Sequence, residues 1–164
     1  MKFCEMPYTR PDIDETKKSF DSLTERLASA KSYADAKEVF LEEQKLEKHI
    51  DTLVNLVSIR HSVNTRDKFY DEEKNFWNGA MPELQEYMQK WTGAMLATPF
   101  REDFSAEYGD LMFVNAEISL KAFSPEIIPE LQRENELVQE YEKLLASAQI
   151  PFEGSAYTLS QLSP

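Results

Sequence analysis

The stretch SIRHSVNTRDKFYDEE, from Ser58 to Glu73, lies where the two longest predicted helices of the chain meet. Asn64 and Thr65 can cap the start of the third helix, and Asp67 places negative charge in its first turn, where the helix dipole favours it. Arg60 and His61 fall in the last turn of the preceding helix, where positive charge is favoured. The stretch therefore predicts a corner between two helices.

Two capping boxes predict where the helices before this corner begin. Asp12, followed three residues later by Glu15, opens a first helix after an extended lead-in over residues 1–11. Ser32 and Asp35 form a second box, which opens a much longer helix that runs to the corner. Apolar residues recur on one face of each segment, so we expect both helices to bury a single stripe.

The third predicted helix covers residues 65–98. Aromatic residues recur in it at heptad spacing, and Met81, Met88 and Met95 form an adjoining stripe. These two stripes predict a broad apolar face. Pro82 removes one backbone hydrogen bond from the middle of the helix, so we expect either a kink or two helices nearly in line.

Two shorter helices are predicted after residue 98. Thr98 followed by Pro99 is a typical helix start, and Gly109 is a typical helix end. The segment DLMFVNAEISLKAF, residues 110–123, is strongly apolar. We therefore expect it to form a helix at the centre of the molecule.

A last helix and a small hairpin complete the chain. Ser124 before a proline opens the helix, and Glu134 lies on its apolar stripe, where a buried carboxylate would need a partner such as Arg60. Residues 149–162 alternate apolar and polar side chains around Glu153–Ser155, which predicts a β-hairpin. The residues that form the expected inner stripe of the last helix are Ile127, Leu131, Val138, Tyr141 and Leu145.

Together these segments predict one all-α domain over residues 1–164. We expect an elongated antiparallel bundle of long helices with a small C-terminal β-hairpin. At 164 residues the chain is long enough to bury a substantial core.

Composition argues against several classes of protein. The formal net charge of −12 disfavours nucleic acids and anionic membranes as partners. The single cysteine, Cys4, rules out an internal disulfide and a Cys-based zinc cage. The first residues lack the apolar core of a signal peptide, and no apolar run has the length of a membrane span. We therefore expect a cytoplasmic protein.

Catalytic motifs do not emerge from the sequence. His49 and His61 are the two histidines, and neither lies in a His-Glu-x-x-His or Glu-x-x-His pattern that would bind zinc or iron on a helix. The sequence also has no Gly-rich phosphate loop and no Gly-x-Ser-x-Gly nucleophile elbow. We therefore predict no catalytic or metal-binding residue in this chain.

Four segments resemble one peptidase family, in the same order along the chain. They are KFCEMPYTRPDID at residues 2–14, the corner stretch at 58–73, LKAFSPEII at 120–128 and SAQIPFEGSAYTLSQL at 147–162. Together they resemble the N-terminal part of the oligoendopeptidase F family, which is related to thimet oligopeptidase. The resemblance implies a cytoplasmic zinc endopeptidase that cuts short peptides inside a channel between two largely helical halves.

The family's zinc ligands and general base lie on a His-Glu-x-x-His helix and a downstream glutamate, and these 164 residues lack both. The resemblance therefore implies an N-terminal domain that is inactive alone. Its expected partners are the missing catalytic domain, which carries the zinc, and the short peptides that the whole enzyme would cut. An apolar surface left bare by that domain would otherwise be hidden in a dimer.

The corner residues are the candidates for a functional role. Arg60, His61, Asn64 and Tyr70 could line the substrate channel or contact the catalytic domain. The alternative is a self-contained acidic helical module that binds a partner helix through the stripe of Met81, Met88 and Met95, since methionine surfaces adapt to varied partners.

Overall fold

The computed structural model describes residues 3–122 and 124–162. Within them it confirms the all-α class with a C-terminal hairpin. Residues 1–2 of the predicted lead-in and the side chain of Cys4 lie outside the described part, and Phe3–Glu5 forms a short 3-10 turn rather than extended chain. The main elements are α1 (Ile13–Ala28), α2 (Tyr33–Val63), α3 (Lys68–Ala97), α4 (Arg101–Tyr108), α5 (Leu111–Ala122), α6 (Ile128–Ser147), β1 (Ile150–Phe152), β2 (Ser155–Tyr157) and the short α7 (Leu159–Leu162).

The N-caps of both predicted boxes are confirmed. The Asp12 carboxylate accepts a hydrogen bond from the backbone N–H of Glu15 at 3.0 Å, and the Ser32 hydroxyl accepts one from Asp35 at 3.2 Å. The short links after α1 and α2 make consecutive helices antiparallel. At 31 residues α2 is a rod of about 46 Å.

Two clusters of buried side chains form the core. Helices α1, α2 and α3 enclose one of them, around Phe20, Ile50 and Leu84. The other centres on Leu27 and Trp91 and also includes Phe104 of α4 and Phe113 of α5. Each fully buried apolar side chain of this size contributes about 1.5–3 kcal/mol to folding. The three long helices therefore supply most of the core, and α4 and α5 complete its second cluster.

The methionine stripe of α3 belongs to this core. Met95 is buried, and Met81 and Met88 pack half-buried against the cluster around Phe20 and Leu84. The stripe therefore does not form the exposed groove that the alternative interaction module would need.

The third helix begins a few residues later than predicted. Asp67, and not Asn64 or Thr65, is the N-cap of α3, because its carboxylate accepts hydrogen bonds from the backbone N–H groups of Phe69 and Tyr70. Asn64 instead ends α2. The predicted two-helix alternative at Pro82 is also wrong, since α3 is one continuous helix with Pro82 inside it.

Helices α4 and α5 correct two further predictions. Helix α4 begins at Arg101 rather than Pro99, and it ends at Gly109 as predicted, with a φ of 87°. Helix α5 is not central. Phe113 is its buried residue, whereas Leu111 and Ile118 are 67% and 60% exposed.

The last helix faces the opposite way from the prediction. A 3-10 turn over Pro125–Ile127 precedes α6, whose expected inner residues Val138 and Tyr141 are 48% and 60% exposed. Gln139 is the buried residue of the helix. Glu134 is exposed, so it needs no buried partner. Helix α6 therefore turns a polar face toward α3 and an apolar face outward.

The hairpin pairs Ile150 with Tyr157 and Phe152 with Ser155 in antiparallel register. Its turn uses positive φ at Glu153 (48°) and Gly154 (82°), which a tight hairpin turn requires. The predicted hairpin of residues 149–162 is too long, because Leu159 starts α7 instead of continuing the second strand.

None of the helices in the described ranges combines the length and apolar character needed to cross a bilayer.

Candidate functional site

Arg60 acts as a clamp at the corner between α2 and α3. Its guanidinium donates a hydrogen bond to the Tyr70 hydroxyl at 2.7 Å and two more to the backbone carbonyls of Phe3 and Met6 at 3.0 and 2.7 Å. It also lies 5.4 Å from the centre of the Tyr70 ring. These contacts tie the N-terminal segment to the corner.

The other two predicted residues point elsewhere. His61 is 1% exposed, and its Nε2 lies 3.3 Å from Oδ1 of Asp71 without the alignment of a hydrogen bond. Asn64 is exposed, and its side-chain oxygen accepts a hydrogen bond from the backbone N–H of Arg66. The four predicted residues therefore do not converge: Arg60 and Tyr70 hold the lead-in, His61 lies beneath α6 and Asn64 faces solvent.

A buried polar network joins α6 to α3. Gln139 is 2% exposed, and its side-chain amide accepts a hydrogen bond from Asn78 and donates one to Asp71 at 3.0 Å. Lys143 forms an ion pair with the same Asp71 carboxylate. Burial alone would raise the pKa of Asp71, but the hydrogen bond and positive charge of Lys143, together with the hydrogen bond from Gln139, lower it below its ordinary value.

Pro82 explains why α6 presents amides to α3. Because proline has no N–H, it leaves the carbonyl of Asn78, four residues earlier, without its helical hydrogen bond. The side chain of Asn135 donates to that carbonyl at 3.3 Å, and Gln132 donates to the adjacent carbonyl of Gly79 at 2.9 Å. The polar face of α6 therefore satisfies the carbonyl that Pro82 frees and adds a second hydrogen bond at the adjacent carbonyl.

The outward face of α6 is apolar and uncovered. Leu137, Val138, Tyr141 and Leu144 are between 47% and 68% exposed. Leu137, Val138 and Tyr141 also line an open hollow of about 450 Å³, which Glu130, Arg133 and Glu134 border. A contiguous apolar patch with a charged rim is typical of a protein-binding surface. We call Leu137, Val138, Tyr141 and Leu144 the outer face of α6.

Glu73 is a buried carboxylate of α3 that has partners. It is 4% exposed, accepts a hydrogen bond from the Tyr8 hydroxyl at 2.5 Å and forms a two-pronged pair with Arg10. Burial works to raise the pKa of Glu73, but hydrogen bonds from Arg10 and Tyr8 lower it on balance. This cluster fastens the lead-in to the bundle.

Glu43 is a buried carboxylate of α2 that has no positively charged partner among the described residues. It is 2% exposed and lines a cavity of about 170 Å³ between α2, α3 and α5, together with Glu47. Its one hydrogen bond comes from the Gln44 amide, at 3.2 Å. Burial, and then the negative charge of Glu47, raise the pKa of Glu43 to about 7.

Metal-binding geometry is not found in the part of the chain that the structure describes, where no group of three or more His, Cys, Asp and Glu side chains is placed to hold an ion.

The sequence of residues 3–123 matches the family pattern of the peptidase M3 N-terminal domain. The chain belongs to this family. A search of curated proteins finds no match. Solved structures of candidate and named peptidases do match, and each of them is much longer than this chain.

This chain is similar over nearly its whole length to three solved structures. One is a candidate oligoendopeptidase F (38% identity, TM-score 0.95, 99% of this chain and 29% of the other). Another is a candidate oligoendopeptidase F from Bacillus anthracis str. Ames (41%, 0.94, 99% and 30%). The third is PZ peptidase A with an inhibitor (36%, 0.94, 98% and 29%). This chain thus spans less than a third of the length of each matched chain.

Proposed function

We propose that this chain is the N-terminal, channel-wall segment of a cytoplasmic zinc-dependent oligoendopeptidase that hydrolyses short peptides. The zinc and the catalytic residues would lie in the peptidase portion that makes up the rest of the matched relatives. Membership of the M3 family, and the names of those relatives, support the peptidase part of the proposal. The zinc dependence, the cytoplasmic location and the preference for short peptides are what the sequence resemblance implies.

The outer face of α6 is the observation that carries the proposal. The chain holds α6 by its polar face and leaves Leu137, Tyr141 and Leu144 in solvent. Covering an apolar side chain of this size contributes about 1.5–3 kcal/mol when burial is complete. A helix that exposes this much apolar surface is suited to pack against a second domain, and we assign that role to the peptidase portion.

Reconstitution tests the proposal. The 164-residue chain is mixed with the portion of the Bacillus anthracis relative that lies beyond the matched segment, and both complex formation and cleavage of an internally quenched peptide are measured. We expect a 1:1 complex, with peptide cleavage by the complex and none by this chain alone. Absence of any complex would contradict the assignment of the outer face of α6.

A matched pair of variants locates the contact. Tyr141→Asp places a charge on the outer face of α6, whereas Leu41→Asp does the same on α2, where Leu41 is 42% exposed. We expect Tyr141→Asp to weaken the complex by about tenfold or more, since it buries an unpaired charge, and Leu41→Asp to leave it unchanged. Equal effects of the two variants would argue against a contact through α6.

A further inference from the structure

The cavity between α2, α3 and α5 has a charge pattern that the proposed function does not use. Its ionisable lining residues are two carboxylates, Glu43 and Glu47, which Gln44 bridges with hydrogen bonds of 3.2 and 3.0 Å. Within residues 3–122 and 124–162, neither carboxylate has a Lys, Arg or His in ion-pair distance. Two negative groups thus share a partly enclosed space without an ion-pair partner among the described residues, although Lys48 is near enough for its charge to act on Glu47.

Glu43 is the group that makes this arrangement unusual. Its side chain is 2% exposed, yet its Oε1 accepts no hydrogen bond from any described residue. Buried charges in proteins are normally paired, because removing a carboxylate from water is costly. Glu73 on the neighbouring helix illustrates the usual solution, since Arg10 and Tyr8 satisfy it. Glu43 lacks such a partner and faces a cavity of about 170 Å³ instead.

The remaining walls of the cavity suit a cation with some apolar character. Trp91 lies on one side, and Met88, Met95 and Met112 supply polarisable sulfur atoms. An indole face attracts ammonium and guanidinium groups, and this attraction adds to a carboxylate's hydrogen bonds. The guanidinium of Arg101 lies 4.7 Å from the centre of the ring of Phe113, another lining residue. Arg101 forms its ion pair with Glu117 and not with the cavity carboxylates.

We propose that this cavity binds a protonated amine or guanidinium group, with the carboxylates of Glu43 and Glu47 as acceptors and Trp91 as an aromatic wall. The proposal is independent of the peptidase assignment, because it concerns the chain alone. The group could belong to a free small cation or to the side chain of a basic segment, and these two sources share the same chemistry.

Titration with N-acetyl-arginine amide tests the proposal, with calorimetry and the fluorescence of the two tryptophans, Trp77 and Trp91, as readouts. N-acetyl-citrulline amide is the control ligand, since it has the same shape without the charge. We expect saturable 1:1 binding of the arginine compound, and binding of the citrulline compound weaker by about tenfold or more, the effect of losing a charge-assisted hydrogen bond. Equal binding of both compounds, or no saturable binding, would overturn the proposal.

Three variants tie the binding to the cavity. Glu43→Gln keeps the shape and removes the charge, Ala116→Leu fills the lining without touching the carboxylates, and Glu38→Gln removes an exposed charge elsewhere on α2. We expect the first two to weaken binding by about tenfold and the third to have no effect. Wild-type affinity in both Glu43→Gln and Ala116→Leu would also overturn the proposal.

Methylguanidinium separates the two sources. Binding as tight as that of N-acetyl-arginine amide supports a free small cation. Methylguanidinium lacks the amides that flank the arginine side chain, so weaker binding of methylguanidinium supports a basic side chain of a protein or peptide.

Discussion

Replacing Glu43 by glutamine should make the chain more stable at neutral pH. Glu43 is 2% exposed, and no basic side chain of the described residues compensates its charge. Burial, with the nearby Glu47 carboxylate, raises the pKa of Glu43 from 4.5 to about 7. Glutamine has the same size as glutamate and can still accept the hydrogen bond from Gln44, but it never becomes charged.

The sign and size of the effect follow from this pKa. Because the folded chain holds the Glu43 proton more tightly than the unfolded chain does, the contribution of Glu43 to stability is fully present below pH 4.5. It is lost as the pH rises through about 7. The raised pKa corresponds to about 3 kcal/mol across this window. The Glu43→Gln variant has no such loss.

Urea unfolding of both proteins at pH 5 and pH 8 measures the effect, with helical circular dichroism as the signal and amine-free buffers. We expect the stability of the variant relative to the wild type to rise by about 3 kcal/mol between the two pH values. Glu38→Gln, at an exposed site of the same helix, serves as the control and should show no such rise. A change below about 1 kcal/mol for Glu43→Gln would refute the reasoning.

Three further substitutions test the contacts that hold the outer elements. Gln139→Leu should lower the free energy of unfolding by about 2 kcal/mol and speed hydrogen exchange in α6, because the buried amide of Asn78 loses its acceptor; unchanged exchange in α6 would speak against the network. Glu73→Gln should cost about 2 kcal/mol in urea unfolding at pH 7, since it weakens the pair with Arg10, and the cost should shrink as the pH falls and the wild-type carboxylate is protonated. Gly109→Ala should cost about 2 kcal/mol in thermal unfolding through strain at a φ of 87° and ψ of 157°, although no atom lies within 4 Å of an added Cβ; a neutral effect would show that the turn relaxes.

Local signals in the sequence predicted the starts of α1 and α2. The caps at Asp12 and Ser32 depend on residues three apart in the chain, so no tertiary information is needed to find them. The start of α3 was missed because Asn64, Thr65 and Asp67 are all residue types that cap helices. The choice of Asp67 depends on how the chain leaves α2, with the backbone N–H of Asp67 bonded to the carbonyl of Asn64.

The orientation of α6 could not be predicted from its apolar stripe. That method assumes that a chain buries its own apolar face. In α6 the polar residues Gln132, Asn135 and Gln139 recur at helical spacing and pack inward. Gln132 and Asn135 donate to backbone carbonyls of α3 near Pro82, and Gln139 bonds to polar side chains of α3. The reason for the polar contact therefore lies in another helix.

Both buried glutamates lie at positions where the apolar stripe of their helix would be expected to continue. Glu43 fills the gap between Val39 and Leu46 in the inner stripe of α2, and Glu73 lies at the stripe position between Tyr70 and Trp77 in α3. A carboxylate at an apolar stripe position predicts a buried charge. The sequence could not show which of the two has a partner, since Arg10 reaches Glu73 from 63 residues away.

The contact between the outer face of α6 and a peptidase portion is tested most directly by photocrosslinking. p-Benzoylphenylalanine is introduced at position 144, where Leu144 is 68% exposed, and separately at position 41 on α2, where Leu41 is 42% exposed, as a control. Each protein is irradiated with the remaining portion of the Bacillus anthracis relative. We expect a covalent product from position 144 and none from position 41. No product from position 144, or equal yields from the two positions, would contradict the packing of α6 against a peptidase domain.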